Sequence, residues 1–213
     1  MDRSVCSRGP IARRLAVIAV AVLAGGCGSD RAGPLPPSRP PGAGLPARLL
    51  REARPIGSGA RFHPPARGPV PGACRHRLGR RQAAHVELFA ADRVVVLAAG
   101  IGVRGPVTRS AGRIVGARCF GTLATLEPTG VVIMRPAAAL TLAALFRAWG
   151  QPLRSDRVAG FVTTPRRPVR VYVDGRRVNG PPGAVRLRRH GEVVIETGPY
   201  VPPHARYTFP PGL

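Results

Sequence analysis

The stretch TLAALFRAWG, residues 141–150, predicts the one clear amphipathic helix of this 213-residue chain. Thr141 is a residue type that caps helix N-termini, and Gly150 is the type that most often ends a helix. Between them, apolar side chains recur at the spacing of one helix face: Leu142, Leu145, Phe146 and Trp149. A single apolar stripe must pack on another layer, and the surrounding sequence offers strands for that layer.

Two β-hairpins are indicated on either side of this helix. HVELFA, residues 85–90, has the alternation of a strand, and RVVVLA follows after the two-residue connection 91–92. VRVYV, residues 169–173, runs into Asp-Gly at 174–175 and returns as RRV, which is a strong hairpin signal. VVIM and EVVIET are two further strands. We therefore predict an α+β fold, with a small antiparallel or mixed β-sheet and one main amphipathic helix.

The N-terminus has the order of a secretory signal. A cationic start precedes the apolar run Leu15–Ala24, which is followed by two glycines and Cys27. The run is too short to span a bilayer as a helix. LAGGC resembles a bacterial lipoprotein signal. The branched residue that such a signal carries three places before the cysteine stands one place earlier here, at Leu23, and Ala24 takes its position. We predict a signal peptide at 1–26 and an acylated Cys27; the alternative is an ordinary secreted protein with a free thiol there.

Composition divides the remaining chain into two parts. Residues 27–72 are rich in Pro and Gly and contain no periodic apolar run, so we expect a disordered tether behind the lipid anchor. Residues 73–213 contain the strands and the helix and form the expected extracytoplasmic domain. Its cysteines, Cys74 and Cys119, are an even pair in an exported chain, which favours a disulfide over two separate thiols.

The chain is strongly basic, with 33 basic and 10 acidic residues and a formal charge of +23. Every basic residue is arginine. This charge favours contact with anionic lipid headgroups or wall polymers, in addition to the membrane contact of the lipid anchor. We expect no specific nucleic-acid partner, because the arginines are dispersed and aromatic residues make up only 5% of the chain.

Candidate catalytic groups are few. Ser110 and Ser155 are the serines of the expected domain, and neither stands in a Gly-x-Ser-x-Gly turn. Glu192 and Glu196 share one strand face, opposite the apolar side, so we expect them to face solvent. The glycine-containing stretch 101–105 lacks the phosphate-binding pattern. The sequence therefore predicts no enzymatic activity and no cofactor.

Five stretches together resemble a family of uncharacterised exported bacterial proteins. They cover nearly all of the expected domain, in the family's order: HVELFAADRVVVLAAGIG from His85, CFGTLATLEPTGVVIMRP from Cys119, TLAALFRAWGQPL from Thr141, VRVYVDGRRV from Val169 and YTFPPGL from Tyr207. Family members carry a His-x-His-x-His-Leu segment and a Leu-His-Thr-His-Asp segment that leads into Gly-x-Ile-His. The resemblance implies that such histidines line one metal site.

Most of those histidines are absent here. Of the first group only His85 remains, with Arg81 and Ala83 at its companions' positions. The second group reads LATLE at 123–127, and Ile133 stands where the next histidine would be. Ala, Leu and Ile offer no metal-binding atom. The resemblance therefore implies a degenerate site in this chain.

Two functional hypotheses follow. The leading one is a lipid-anchored extracytoplasmic protein that acts as a non-enzymatic binding or structural module at the cell envelope. The alternative is a metal-binding or metal-handling domain with a degenerate histidine site. Its candidate ligands, none of them in a close-spaced pair, are His76, His85 and Glu127. His204 is a further histidine that could converge on them.

Overall fold

The computed structural model describes residues 53–136, 138–202 and 206–213. The leader, Cys27, residues 28–52 and His204 lie outside these ranges. The strands, in chain order, are β1 (Gln82–Ala90), β2 (Arg93–Val95), β3 (Val103–Ser110), β4 (Arg113–Phe120), β5 (Leu123–Ala124), β6 (Val131–Met134), β7 (Leu153–Arg154), β8 (Arg157–Val158), β9 (Phe161–Val162), β10 (Arg170–Val173), β11 (Arg176–Val178) and β12 (Glu192–Thr197). The α-helix α1 is Leu142–Trp149, and Pro182–Ala184 form a 3-10 turn.

A seven-stranded mixed sheet forms the centre of the described chain. Its order is β11-β10-β12-β1-β6-β5, and β2 pairs with the second half of β1. The central pair, β1 and β12, is parallel, whereas the other neighbours are antiparallel. Two small sheets accompany it: the β3-β4 hairpin and the three-stranded β7-β8-β9. The chain is therefore broadly α+β, as the helix and strand patterns predicted.

Helix α1 begins and ends where its sequence predicted. The Thr141 hydroxyl accepts a hydrogen bond from the Ala144 backbone N–H, at 3.3 Å. Gly150 ends the helix in the left-handed conformation, with φ 78°. The predicted apolar stripe is buried against the sheet: Leu142, Leu145, Phe146 and Trp149. Within the described ranges, no helix combines the length and the apolar composition that crossing a bilayer requires.

Both predicted hairpins are present. β1 and β2 are joined through Ala91 and Asp92, which have φ angles of 51° and 61°. β10 and β11 are joined through Asp174 and Gly175, with φ angles of 50° and 77°. Positive φ at both central residues is the requirement of the turn whose twist matches a hairpin. Asp and Gly tolerate this conformation better than Ala91 does, which explains why the second hairpin had the clearer sequence signal.

The main sheet has two differently covered faces. On the helix face, β1, β6 and β12 contribute apolar residues that pack under α1: Ala84, Val86, Leu88, Val132, Met134, Val193 and Ile195. The opposite face, which we call the tail face, carries Ala83 and His85 of β1 and Ile133 of β6. It is covered by residues of the β3-β4 hairpin and by residues 206–213, which we call the tail: Ile114, Phe120, Tyr207, Phe209 and Leu213.

The β3-β4 hairpin had no clear signal in the sequence. Most of β3 is exposed, so it has no buried stripe, and its turn lies at Ala111 and Gly112. Cys119 of β4 lies at disulfide distance from Cys74, with the Cα atoms 5.1 Å apart. This agrees with the predicted pairing, and it ties the chain before β1 to the hairpin.

Residues 53–72 pack on the domain, which corrects the predicted boundary at residue 72. The Trp149 indole N–H donates to the Pro64 carbonyl at 3.0 Å, and the Gly57 N–H donates to the Val94 carbonyl at 3.0 Å. The Phe62 side chain also packs against the helix-side core. A segment rich in Pro and Gly cannot form a hydrophobic core of its own. Here it is held by hydrogen bonds and apolar contacts to the helix and to the main sheet. The linker prediction for residues 27–52 lies outside the described residues.

Candidate functional site

His85 is the most enclosed titratable imidazole among the described residues. It lies on β1 at the centre of the sheet, opposite Glu192 in the parallel β1-β12 register, and is 6% exposed. Its Nδ1 lies 2.6 Å from Glu192 Oε1, and its Nε2 lies 2.9 Å from the Thr129 carbonyl oxygen. Both ring nitrogens therefore have an acceptor within hydrogen-bonding distance.

The hydrogen-bond partners of the two ring nitrogens define the charge of the His85 imidazole. A carbonyl only accepts, so Nε2 carries a proton, and the Glu192 carboxylate accepts a hydrogen bond from a second ring proton on Nδ1. Burial by itself lowers the pKa of His85. The hydrogen bond and charge of Glu192, the charge of Glu87 and the Thr129 carbonyl together outweigh burial, and the pKa is raised above its ordinary value. The two nearby carboxylates thus favour the protonated form of the imidazole.

Glu87 completes a cluster of three possible metal ligands. It stands two residues after His85 on β1, so both side chains project from the same face. Glu87 Oε1 lies 3.9 Å from His85 Nδ1. One possible ligand atom from each of His85, Glu87 and Glu192 lies within 4.8 Å of the other two. In the part of the chain that the structure describes, this is the only such group of three or more His, Cys, Asp or Glu residues.

The tail closes over this cluster. The ring of Tyr207 stacks on His85 with 4.3 Å between centroids, and the Tyr207 backbone N–H donates to Glu192 Oε2 at 3.2 Å. Further along, Phe209 stacks on His190 with 4.7 Å between centroids. The Leu213 carbonyl oxygen lies 2.6 Å from His190 Nε2. Two histidines thus each pair with an aromatic ring of the tail.

The expectation that Glu192 and Glu196 face solvent is wrong. They are 6% and 0% exposed, respectively, because residues beyond β12 fold back over this face. Glu196 Oε1 accepts from Arg170 and from the Tyr172 hydroxyl, each at 3.3 Å, and Oε2 accepts from the Val201 N–H at 2.9 Å. Alternation identified the shared face of the two glutamates correctly, but it carried no information on what covers that face.

The three candidate ligands predicted from sequence do not form one set. His85 is in the cluster described above. Glu127 forms an ion pair with Arg113, with 2.7 Å between Oε1 and Nη1. His76 is exposed and belongs to no described group of ligands. Glu87 was missed, although the alternation of β1 could have identified it. Glu192 could not be connected to His85 from sequence, because 107 residues separate the two.

The positions at which the resembling family carries histidines also lie together. Ala83 pairs with Ile133 across β1-β6, and Ala124 pairs with Ile133 across β5-β6. Leu126 belongs to the same buried apolar cluster. Since these four side chains offer no metal-binding atom, this part of the tail face is a small hydrophobic core.

A basic groove lies beside the start of β1. Its volume is about 360 Å³, and its lining residues are Gln82, Ala138, Ala139, Leu140, Arg186, Leu187, Arg188 and Arg189. Val185 and Leu187 point into the core, while the alternate residues Arg186 and Arg188 are exposed. Arg189 donates to the Leu213 carbonyl oxygen at 3.3 Å. No acidic side chain is among the lining residues.

Comparison with known proteins gives no match: no family model, no curated protein and no solved structure is similar to this chain. The class that fold and site define is an α+β domain with an enclosed His-Glu-Glu cluster and an arginine-lined groove.

Proposed function

We propose that this chain is a lipid-anchored extracytoplasmic protein whose folded domain is a non-enzymatic module that binds anionic groups of the cell envelope. The observation that carries the proposal is the basic groove, which presents three arginine side chains and no acidic one. The phosphate oxygens of lipid headgroups and of wall polymers are the chemistry that such a groove suits.

The anchor is supported by the N-terminal sequence. Arginines, the apolar run Leu15–Ala24 and the small residues before Cys27 follow one another in the order of a lipoprotein signal. Two or three acyl chains on Cys27 would hold the chain at the membrane, since each buried methylene contributes about 0.8 kcal/mol. A groove on a domain tethered in this way meets anionic surfaces at high local concentration.

The groove is supported by the pairing of its arginines. Arg186 and Arg188 form no ion pair with the residues that the structure describes, so their guanidinium groups are available to a ligand. Leu187 lies between them and anchors the segment, because its N–H donates to the Leu140 carbonyl at 2.9 Å. The two guanidinium groups therefore project from a backbone that is fixed to the core.

The non-enzymatic role is supported by the enclosure of the acid-base groups. His85 is bonded at both ring nitrogens, and Glu196 is fully buried. The cavity beside Glu127 and Tyr207 measures about 10 Å³, room for about one water molecule. An organic substrate thus finds little space next to Glu127 and Tyr207.

Metabolic labelling with a palmitate analogue tests the anchor. The wild-type chain should take up label, and Cys27→Ala should lose it, because Cys27 alone of the four cysteines stands directly after the small residues of the leader. Cys6→Ala is the matched control, which removes a thiol within the leader and should leave labelling unchanged. Label that persists in Cys27→Ala would refute the anchor.

Binding of the Cys27→Ala chain to vesicles and to cell walls tests the groove. Phosphatidylglycerol vesicles, phosphatidylcholine vesicles and walls with or without phosphate polymers separate the two sources of phosphate. Arg186→Glu/Arg188→Glu should weaken binding roughly tenfold or more, since each arginine near an anionic surface contributes about 1 kcal/mol.

The matched control is Arg176→Glu/Arg177→Glu, which makes the same charge change on the exposed strand β11. Equal losses in the two double variants would mean attraction by net charge alone and would contradict a role for the groove. Binding to neither vesicles nor walls at physiological salt would also contradict it.

A further inference from the structure

We propose that His85, Glu87 and Glu192 form a binding site for a divalent transition-metal ion, of which Zn²⁺ is the best-matched common example. The site lies apart from the groove of the proposed function and does not depend on it. The inference starts from the enclosed cluster in which one imidazole nitrogen and two carboxylate oxygens approach one another within 4.8 Å.

The sheet itself brings these ligands together. His85 and Glu192 occupy paired positions of the parallel strands β1 and β12, and Glu87 follows His85 at i+2 on the same face. The Nδ1 atom of His85 lies 2.6 Å from Glu192 Oε1 and 3.9 Å from Glu87 Oε1. Ligands about 2.0 Å from a tetrahedral ion lie about 3.3 Å apart, between these two distances. Small side-chain rotations are therefore enough to seat an ion.

The other ring nitrogen supplies the support that metal-bound histidines usually have. His85 Nε2 donates to the Thr129 carbonyl at 2.9 Å, which fixes the ring plane and the tautomer. Nδ1 is thereby the nitrogen that presents its lone pair to an ion. Tyr207 stacks on the same ring, with 4.3 Å between centroids, and limits its rotation further.

The charges of the cluster favour a dication. Without an ion, one proton on Nδ1 faces two carboxylates, those of Glu87 and Glu192. On binding, the ion takes the place of this proton, which leaves to solvent, and its two positive charges balance the two carboxylates. One imidazole and two carboxylates suit borderline ions such as Zn²⁺ better than Cu⁺, which selects sulfur ligands.

The site is enclosed on the tail side and open at one ligand. Glu192 and His85 have side chains only 7% and 8% exposed, whereas the Glu87 side chain is 25% exposed. An ion can therefore enter past Glu87, while the other two ligands stay in place. This difference also makes Glu87 the ligand that can be changed with the least effect on folding.

Zinc loading of the untagged full-length chain, purified in detergent and stripped with a chelator, tests the site. Wild type should retain about one equivalent of Zn²⁺ after dialysis, measured by mass spectrometry of the metal. Glu87→Gln should weaken zinc affinity by roughly tenfold or more, because a neutral amide replaces a charged ligand. Cobalt offers a second readout, since a tetrahedral Co²⁺ site gives a characteristic visible absorption that Glu87→Gln should lose.

Two control variants locate the ion. Glu127→Gln removes a carboxylate that pairs with Arg113, and His76→Ala removes an exposed imidazole; both should load like wild type. Less than about a tenth of an equivalent in wild type overturns the proposal. Loading that is unchanged in Glu87→Gln, or that is lost in His76→Ala, also overturns it. None of these outcomes alters binding through Arg186 and Arg188, so the two proposals fail separately.

Discussion

The helix face and the tail face of the main sheet are formed by the same strands but are buried in different ways. On the helix face, β1 presents Ala84, Val86 and Leu88 to α1, and these three side chains belong to a buried apolar cluster. On the tail face, the same strand presents His85, which takes partners from β12 and the tail, and Glu87, whose carboxylate lies 3.9 Å from the His85 ring.

This difference separates two kinds of stabilisation. Apolar burial is non-directional, so the helix face tolerates modest changes of shape that keep its volume. A buried charge requires a particular partner at hydrogen-bonding distance, so the tail face depends on single residues such as Glu192. Variants on the two faces should therefore differ in the size of their effect on stability and in its dependence on pH.

The largest expected loss of stability comes from the helix face. Trp149 is fully buried, and its indole N–H donates to the Pro64 carbonyl. Trp149→Ala should lower the free energy of unfolding by about 3–5 kcal/mol, because it leaves a cavity and an unpaired carbonyl. Chemical denaturation of the Cys27→Ala chain measures this. Trp149→Phe keeps most of the volume and should lose less; equal losses would contradict the cavity argument.

Removal of a charge on the tail face should have the next largest effect. Glu192→Gln leaves the His85 imidazole buried without its carboxylate, and stability should fall by about 2 kcal/mol in the presence of a chelator. Asp92→Asn is the control, because Asp92 pairs with Arg54 at an exposed position where an ion pair contributes about 0–1 kcal/mol. If both variants lose the same small amount, the tail face does not depend on its buried pair.

The tail should contribute less through its aromatic contact. Tyr207→Ala removes the ring that stacks on His85 and should lower stability by about 1 kcal/mol. Tyr200, which is 52% exposed, provides the comparison, and Tyr200→Ala should be close to neutral. Thermal unfolding of both variants in parallel measures the difference. A neutral Tyr207→Ala would show that the tail covers the sheet without stabilising it.

The smallest expected effect is the dependence on pH, because burial and the two glutamates act on His85 in opposite directions. Since the folded-state pKa of His85 is raised, its contribution is fully present below the unfolded-state pKa and is lost as pH rises through the folded-state pKa. The groups that face it are Glu192 of β12, Glu87 of β1 and the Tyr207 ring.

Chemical unfolding in the presence of a chelator, from below the unfolded-state pKa of His85 to above its folded-state pKa, measures that loss of stability. Glu192→Gln should reduce it, because the largest attractive partner of the imidazole is gone. Thr141→Ala, which removes only the cap of α1 on the helix side, should keep it. Stability that increases with pH over the interval would contradict the raised pKa.

Much of the fold could be predicted from local patterns. The caps Thr141 and Gly150, the turn at 174–175 and the strand at 131–134 all lie within a few residues of the features that identify them. The β3-β4 hairpin could not be predicted, because its strands have no apolar stripe. Packing of residues 53–72 could not be predicted either, since their partners are supplied by distant elements.

The candidate site was predictable only in part. Alternation along β1 places Glu87 beside His85, and alternation along β12 places Glu192 and Glu196 on one face. The pairing of Glu192 with His85 depends on the parallel register of β1 and β12. A register between strands so far apart results from the packing of all elements together, and no local pattern records it.

The amino-acid sequence by itself determined where the helix begins and ends, which residues turn the two hairpins and which side chains share a strand face. These properties follow from backbone conformation and from the periods of helix and strand, which act over a few residues. Only the tertiary structure decided that the face with Glu192 and Glu196 is buried and that Ala83, Ala124, Leu126 and Ile133 form a small core. Burial depends on what covers a face, and here the covering residues come from the β3-β4 hairpin and from the tail.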